Sequence, residues 1–189
     1  MKRLNFLLIA FCIVAFTACH KGNHKSSLGS KNDQKELLEL YQHADSLYYK
    51  CGRIDTTAFA QFIQKAQAFA DAHPKDAKAP EMLYRAGIGS MILAKAAPNR
   101  EQTAKYAKIG LSIFYKFQET YPNDEHAKYC YYQRGVIYDD ILGDWRSAED
   151  QFRDFVNRYP NDSLAPQLEQ YIKLLGKTES QIDETLNIQ

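Results

Sequence analysis

Between residues 33 and 176 apolar side chains recur at steps of four, three and four, and each run stops at a ring-bearing residue followed by proline. Phe62, Ala66, Phe69 and His73 precede Pro74; Gly110, Phe114, Phe117 and Tyr121 precede Pro122; Ala148, Phe152, Phe155 and Tyr159 precede Pro160. Such spacing puts one apolar stripe on one helix face. Proline then ends each run, because it disfavours helical geometry in the residue before it. The pattern predicts helices over 33–50, 57–72, 78–95, 101–119, 125–141, 145–158 and 163–175. A short eighth helix follows Ser180, which has capping-box spacing to Asp183; Asp33 and Glu36 give a similar start signal for the first.

The proline markers lie 48 and 38 residues apart, and the residues after them correspond as well. Asp76, Asp124 and Asp162 stand where they can cap the next helix. Ala79, Ala127 and Ala165 are small where two helices would press together, and Tyr84 and Tyr132 match, followed by Gly87 and Gly135. A glycine inside a helix costs about 1 kcal/mol against alanine. Its return at one register therefore implies close helix approach. The ten extra residues of the first interval are assigned to a loop around 96–102, which is also a place for partner contacts.

A glycine and an aromatic on one helix, a small residue and an aromatic on the next, then proline: this order resembles the tetratricopeptide repeat. Gly135, Tyr138, Ala148, Phe152 and Pro160 fall on that pattern. Residues 127–175 are similar to the repeats of outer-membrane assembly lipoproteins of the BamD type and of periplasmic TolA-binding coordinators. The resemblance covers roughly residues 33–176. It implies an all-α domain, a right-handed solenoid of about three helical hairpins with a C-terminal capping helix in 177–189. The chain departs from the pattern at Arg134, where an aliphatic residue is usual, and at Ser90, where tyrosine is expected. The turn 141–144 is one residue longer than the repeat's own.

The first residues have a different character. Lys2 and Arg3 precede a run, Leu4 to Phe16, that is apolar apart from Asn5 and is short for a membrane span. This reads as a cleavable signal peptide over 1–18. Phe16-Thr17-Ala18-Cys19 resembles a lipobox, with phenylalanine where leucine is commoner, and the resemblance implies acylation of Cys19. An ordinary secretory signal with Cys19 a passenger is the alternative. Residues 19–32 are polar and rich in Gly, Ser and Lys, which predicts a flexible tether with a span of roughly 20 Å. In some bacterial groups sorting follows acidic residues after the lipidated cysteine. None occurs here before Asp33, which implies the outer membrane, facing the periplasm.

Cleavage would remove two basic residues and no acid, leaving 22 basic against 23 acidic, a net charge of −1. A near-neutral exported chain offers no electrostatic case for nucleic acid. Of the four cysteines, Cys12 leaves with the signal and Cys19 carries lipid. Cys51 and Cys130 sit on helices two units apart, beyond the reach of a disulfide, and read as packing residues. No HExxH, phosphate loop, GxSxG or dinucleotide fingerprint is present, so no cofactor is implied and an enzyme is discounted. Asp139, Asp140 and Asp144 cluster without calcium-loop spacing and read as a solvated helix end and cap.

In tetratricopeptide proteins the first helix of each hairpin lines a concave groove. Carried over by register from Gly87 and Gly135, the partner-binding positions are Glu81, Tyr84, Ile88, Met91, Tyr129, Tyr132, Val136 and Asp139. Tyrosines flanked by acids suit an extended or helical peptide from an envelope protein. They also stack on sugars, so a glycan- or peptidoglycan-binding accessory is the rival reading. The structural alternative is that Tyr84 and Tyr132 pack between adjacent helices.

Overall fold

A computed structural model describes the backbone of residues 27–186, and the side chains of all but 27–30, 47–51 and 186. The segment read as a signal peptide, Cys19 and most of the expected tether lie outside the described residues. Within them the chain is all-helical and has no strand. The helices are α1 (Ser27–Cys51), α2 (Thr56–Ala72), α3 (Ala79–Ala96) and α4 (Arg100–Thr120). After them come α5 (Tyr129–Val136), continued by a π turn (Ile137–Leu142), then α6 (Trp145–Arg158), α7 (Ala165–Ile172) and α8 (Glu179–Leu186). No helix among the described residues is long and apolar enough to cross a membrane.

From α1 to α7 each helix packs on its neighbour in the chain. The π turn adds contacts back to α3 and α4. The stripe residues form the core. Phe62, Ala66 and Phe69 of α2, Gly110, Phe114 and Phe117 of α4, and Ala148, Phe152 and Phe155 of α6 are all buried. A fully buried phenylalanine contributes on the order of 2–3 kcal/mol by leaving water, so these six rings supply much of the drive for collapse.

The three proline turns share one geometry. His73, Tyr121 and Tyr159 have φ of −133°, −128° and −130°, each with ψ of 55°. Their N–H groups donate to the carbonyls of Phe69, Phe117 and Phe155 at 2.8, 2.7 and 2.9 Å. The aspartates stand two residues past each proline, and their carboxylates accept from the N–H of Lys78, His126 and Leu164 at 2.8, 2.9 and 3.0 Å. They order the turn that enters the next helix, and do not cap its first turn. Asp162 also takes the ammonium of Lys128 at 2.5 Å. That bond first, then the Leu164 N–H, holds its carboxyl below the usual aspartate range. A depressed carboxylate contributes stability above its unfolded value and loses it as pH falls. The melting-temperature gap between wild type and Asp162→Asn should therefore be open at pH 6 and close as pH drops below about 3.9.

Matching glycines on α3 and α5 make a recurring close contact with the next helix. A Cβ added at Gly87 would lie 2.6 Å from the ring of Phe114, and one at Gly135 would lie 2.2 Å from that of Phe152. The phenylalanines occupy matching places in their copies, so each glycine admits its own hairpin's ring.

Four further expectations are corrected. The ten extra residues are not a loop: only 97–99 join α3 to α4, and the length has gone into helix, 18 and 21 residues against 14 in α6. Asn99 caps α4 by accepting from the N–H of Gln102 at 2.9 Å. The first helix starts at Ser27, so residues 27–32 are helix, not tether, and Asp33 and Glu36 are no start signal. They instead face His73, at 3.9 Å, and Lys65. The capping interaction of α8 is two residues early: the Gln181 side chain accepts from the Thr178 N–H at 2.9 Å. Finally, the extra residue at 141–144 is absorbed upstream as the π turn, which Gly143 closes at φ 69° in the left-handed region that glycine occupies without strain.

Candidate partner-binding surface

Two hollows open on the odd-numbered helices. The first, of about 550 Å³, lies between α1, α3 and the turn before α5. Its wall on α3 is Glu81, Tyr84, Arg85 and Ile88. Glu81 accepts from Lys78 at 2.7 Å and from Arg85 at 3.0 Å, and these cations, Lys78 first, hold its carboxyl below the ordinary range. The Arg85 guanidinium lies 4.5 Å over the ring of Tyr41 from α1. His126 closes the far side, its ring 4.6 Å from Tyr84 and its Nδ1 2.8 Å from Asp124.

Tyr84 belongs to the wall and to the packing at once. Its ring meets Phe114 and Phe117 edge-on at 5.7 and 5.8 Å, and its hydroxyl accepts from Gln133 at 3.2 Å. Burial pushes its hydroxyl up to about 12. At neutral pH it is a fixed neutral group.

The second hollow, of about 340 Å³, lies between α5 with its π turn and α7. Tyr132, Val136 and Asp139 form one side, and Leu168 and Tyr171 the other. Tyr171 is 40% exposed and its hydroxyl donates to Asp139, which first, with burial, drives the phenol far above its ordinary value. Tyr132 packs 6.1 Å from Phe152, which meets Tyr171 edge-on at 5.7 Å. The result is an aromatic floor with oriented polar groups at its lip.

Of the sequence-derived groove positions, Glu81, Tyr84 and Ile88 line the first hollow, and Tyr132, Val136 and Asp139 the second. Met91 is corrected: at 9% exposure it belongs to the core of α3. Tyr129 lines neither hollow; it stacks on Phe155 at 6.4 Å beneath the ammonium of Lys128. The register missed Tyr41, Arg85, His126 and Tyr171. The step from Ala79 to Tyr84 and from Ala127 to Tyr132 lands on Gln170 in α7, so the repeat carries no cue to its neighbour Tyr171.

The three clustered aspartates go separate ways: Asp139 to Tyr171, Asp140 to Lys95 at 3.4 Å, and Asp144 to the cap of α6 through Ser147. Among the described residues no group of three or more His, Cys, Asp or Glu is placed to hold a metal ion. Cys130 is a buried free thiol whose ionisation burial pushes up to about 12, so it is no nucleophile at neutral pH.

A third and larger hollow, about 660 Å³, is formed by even-numbered helices, with Ile63 and Ala68 of α2 facing Tyr106 and Ile109 of α4. It shares no lining residue with the first two hollows. The sequence matches no protein-family model and no curated protein.

Proposed function

We propose that the chain is a lipid-anchored envelope scaffold whose repeats stack as a tetratricopeptide-like right-handed solenoid and bind a protein or peptide partner, with no catalytic step. The observation that carries this reading is the pair of neighbouring hollows on α1, α3, α5 and α7, each with an aromatic floor and fixed charges at its lip. An extended or helical peptide gains apolar area from Tyr41, Tyr132 and Tyr171, and its polar groups meet Arg85, Glu81 and Asp139. Support for stacking comes from the three proline turns, alike in dihedrals and hydrogen bonds, and from the neighbour-to-neighbour packing. A single hairpin cannot bury its own apolar face, and three in a row can.

The lipobox-like residues at Cys19 and the signal-like segment before it support anchoring, and the lack of acid before Asp33 supports an outer-membrane address. The partner then belongs to envelope assembly or maintenance. Palmitate labelling of the expressed chain tests the anchor, and Cys19→Ala should abolish it. A pull-down from crosslinked envelopes tests the binding. Because Tyr84 and Tyr132 are packed more deeply, the informative variant is Arg85→Glu with Tyr171→Ala, of which Tyr171 is 40% exposed. It should lose the wild-type protein partner while keeping its helical content. Binding on a glycan array that Tyr171→Ala removes, without any protein partner, would replace this reading with the glycan-binding one.

A further inference from the structure

We infer that a lysine-rimmed apolar notch at the start of α1 is a membrane-facing surface that rests on anionic phospholipid headgroups; this depends on the lipid anchor at Cys19. The notch, about 400 Å³, lies between α1 and α3 and is lined by Lys31, Gln34, Lys35, Leu38, Lys78 and Met82. Leu38 is 40% exposed there, and the buried Met82 forms the floor. Every charged residue lining it is basic. Lys35 and Lys78 are held by Glu39 at 3.7 Å and Glu81 at 2.7 Å, exposed pairs that water and salt screen, so a phosphate can share either ammonium. Asp76 is not part of the lining; it accepts from the Gln34 amide at 2.6 Å. The remaining acids on this part of α1, Asp33 and Glu36, face His73 and Lys65 on α2.

Chain length places this notch near the bilayer. The helix starts at Ser27, eight Cα steps after Cys19. At roughly 3.6 Å for each step, its first residue is at most about 29 Å from the lipidated cysteine. With a rise of about 1.5 Å per residue, Lys31 and Lys35 follow within roughly 6 and 12 Å along the helix. The intervening sequence adds Lys21 and Lys25 and no acid. A basic residue close to an anionic leaflet is favoured roughly fivefold. Leu38 can enter the acyl boundary while the lysine stems lie along it with their ammonium groups at the phosphates. The domain would then be held by one end and one face, and the hollow between α5 and α7 shares no lining residue with the notch.

The test uses the mature acylated chain in neutral phosphatidylcholine vesicles and in vesicles with about 30% phosphatidylglycerol. Amine-reactive labelling is mapped by peptide mass spectrometry, with Lys105 and Lys108 in the α2–α4 hollow as internal references. Lys31, Lys35 and Lys78 should label about fivefold less in the anionic vesicles, and the difference should vanish near 1 M salt. Leu38→Glu, an exposed change that leaves all three lysines in place, should lose the protection. Equal labelling in both vesicles from an acylated, vesicle-bound chain overturns this inference alone. A chain that carries no acyl group at Cys19 overturns the anchor itself, and the membrane-facing surface with it.

Discussion

Gly135→Ala should lower the stability of the domain by about 2 kcal/mol, a drop of roughly 6 °C in melting temperature for a domain of this size. The new Cβ would lie 2.2 Å from a ring atom of Phe152. That ring is buried between Tyr132 and Tyr171, at 6.1 and 5.7 Å, and has no free direction in which to yield. The gain of about 1 kcal/mol in helix propensity offsets only part of the overpacking. Gly87→Ala should behave alike against Phe114, where the approach is 2.6 Å. Gly89→Ala is the control: its nearest contact is 3.3 Å, to Phe59, and propensity should leave it within about 0.5 kcal/mol of wild type. Phe152→Leu should recover part of the loss in the Gly135→Ala background, measured as coupling in a double-mutant cycle. Equal effects at all three glycines would contradict the repeat contact.

Arg134→Ala should cost about 3 kcal/mol in chemical denaturation, the larger of the two effects. Arg134 is 2% exposed, and its side-chain partners are two glutamines and two tyrosine rings. Its Nε donates to Gln151 at 2.7 Å, another nitrogen donates to Gln118, and it lies 4.0 Å from the ring centre of Tyr115 and 4.8 Å from that of Tyr131. Burial is the main cause that draws its pKa below the ordinary arginine value, so the charge is tolerated only through these contacts. Removing the side chain leaves two glutamine carbonyls short of a donor and a void between α4, α5 and α6. Arg134→Lys should lose about 2 kcal/mol, because a compact ammonium lacks the spread, planar donors that reach Gln118 and Gln151 while lying over two rings. Arg134→Leu, an aliphatic residue as is usual at this place in the repeat the sequence resembles, fills the void and should cost least. Arg134→Ala within 0.5 kcal/mol of wild type, by the scatter of about that size expected of surface changes, would show that the clamp is idle.

What was legible in the sequence was whatever local chemistry dictates. The stripe ending at Tyr159-Pro160 gave α6 to the residue, because apolar period and proline act along one chain segment. Gly87 and Gly135 announced a close approach for the same reason: a helical glycine is costly unless something needs its space. Features set between segments were hidden. Nothing local tells a ten-residue insertion to lengthen α3 and α4, since the choice depends on whether neighbours pair with the added turns. The π turn at Ile137–Leu142 was hidden likewise: the surplus residue is taken up in the helix before the turn, next to an α6 whose Phe152 and Phe155 are buried. Arg134 could be flagged as out of pattern, but its four partners come from α4, α5 and α6. The candidate site divides the same way. The repeat register found the walls on α3 and α5, while Tyr41 and Tyr171 sit on helices where the register is weak or slips by one.

The most direct test of a partner-binding odd-helix face is photocrosslinking in intact envelopes, with the crosslinking residue placed at Arg85, Tyr171 or Ser112. The first two positions lie at the two hollows, and Ser112 lines the α2–α4 hollow. The scaffold reading predicts one and the same envelope protein captured from positions 85 and 171, absent from position 112, and lost from both when Cys19 is replaced by alanine. Capture from position 112 alone, or no protein captured from either odd-helix position by a folded, acylated chain, would contradict it.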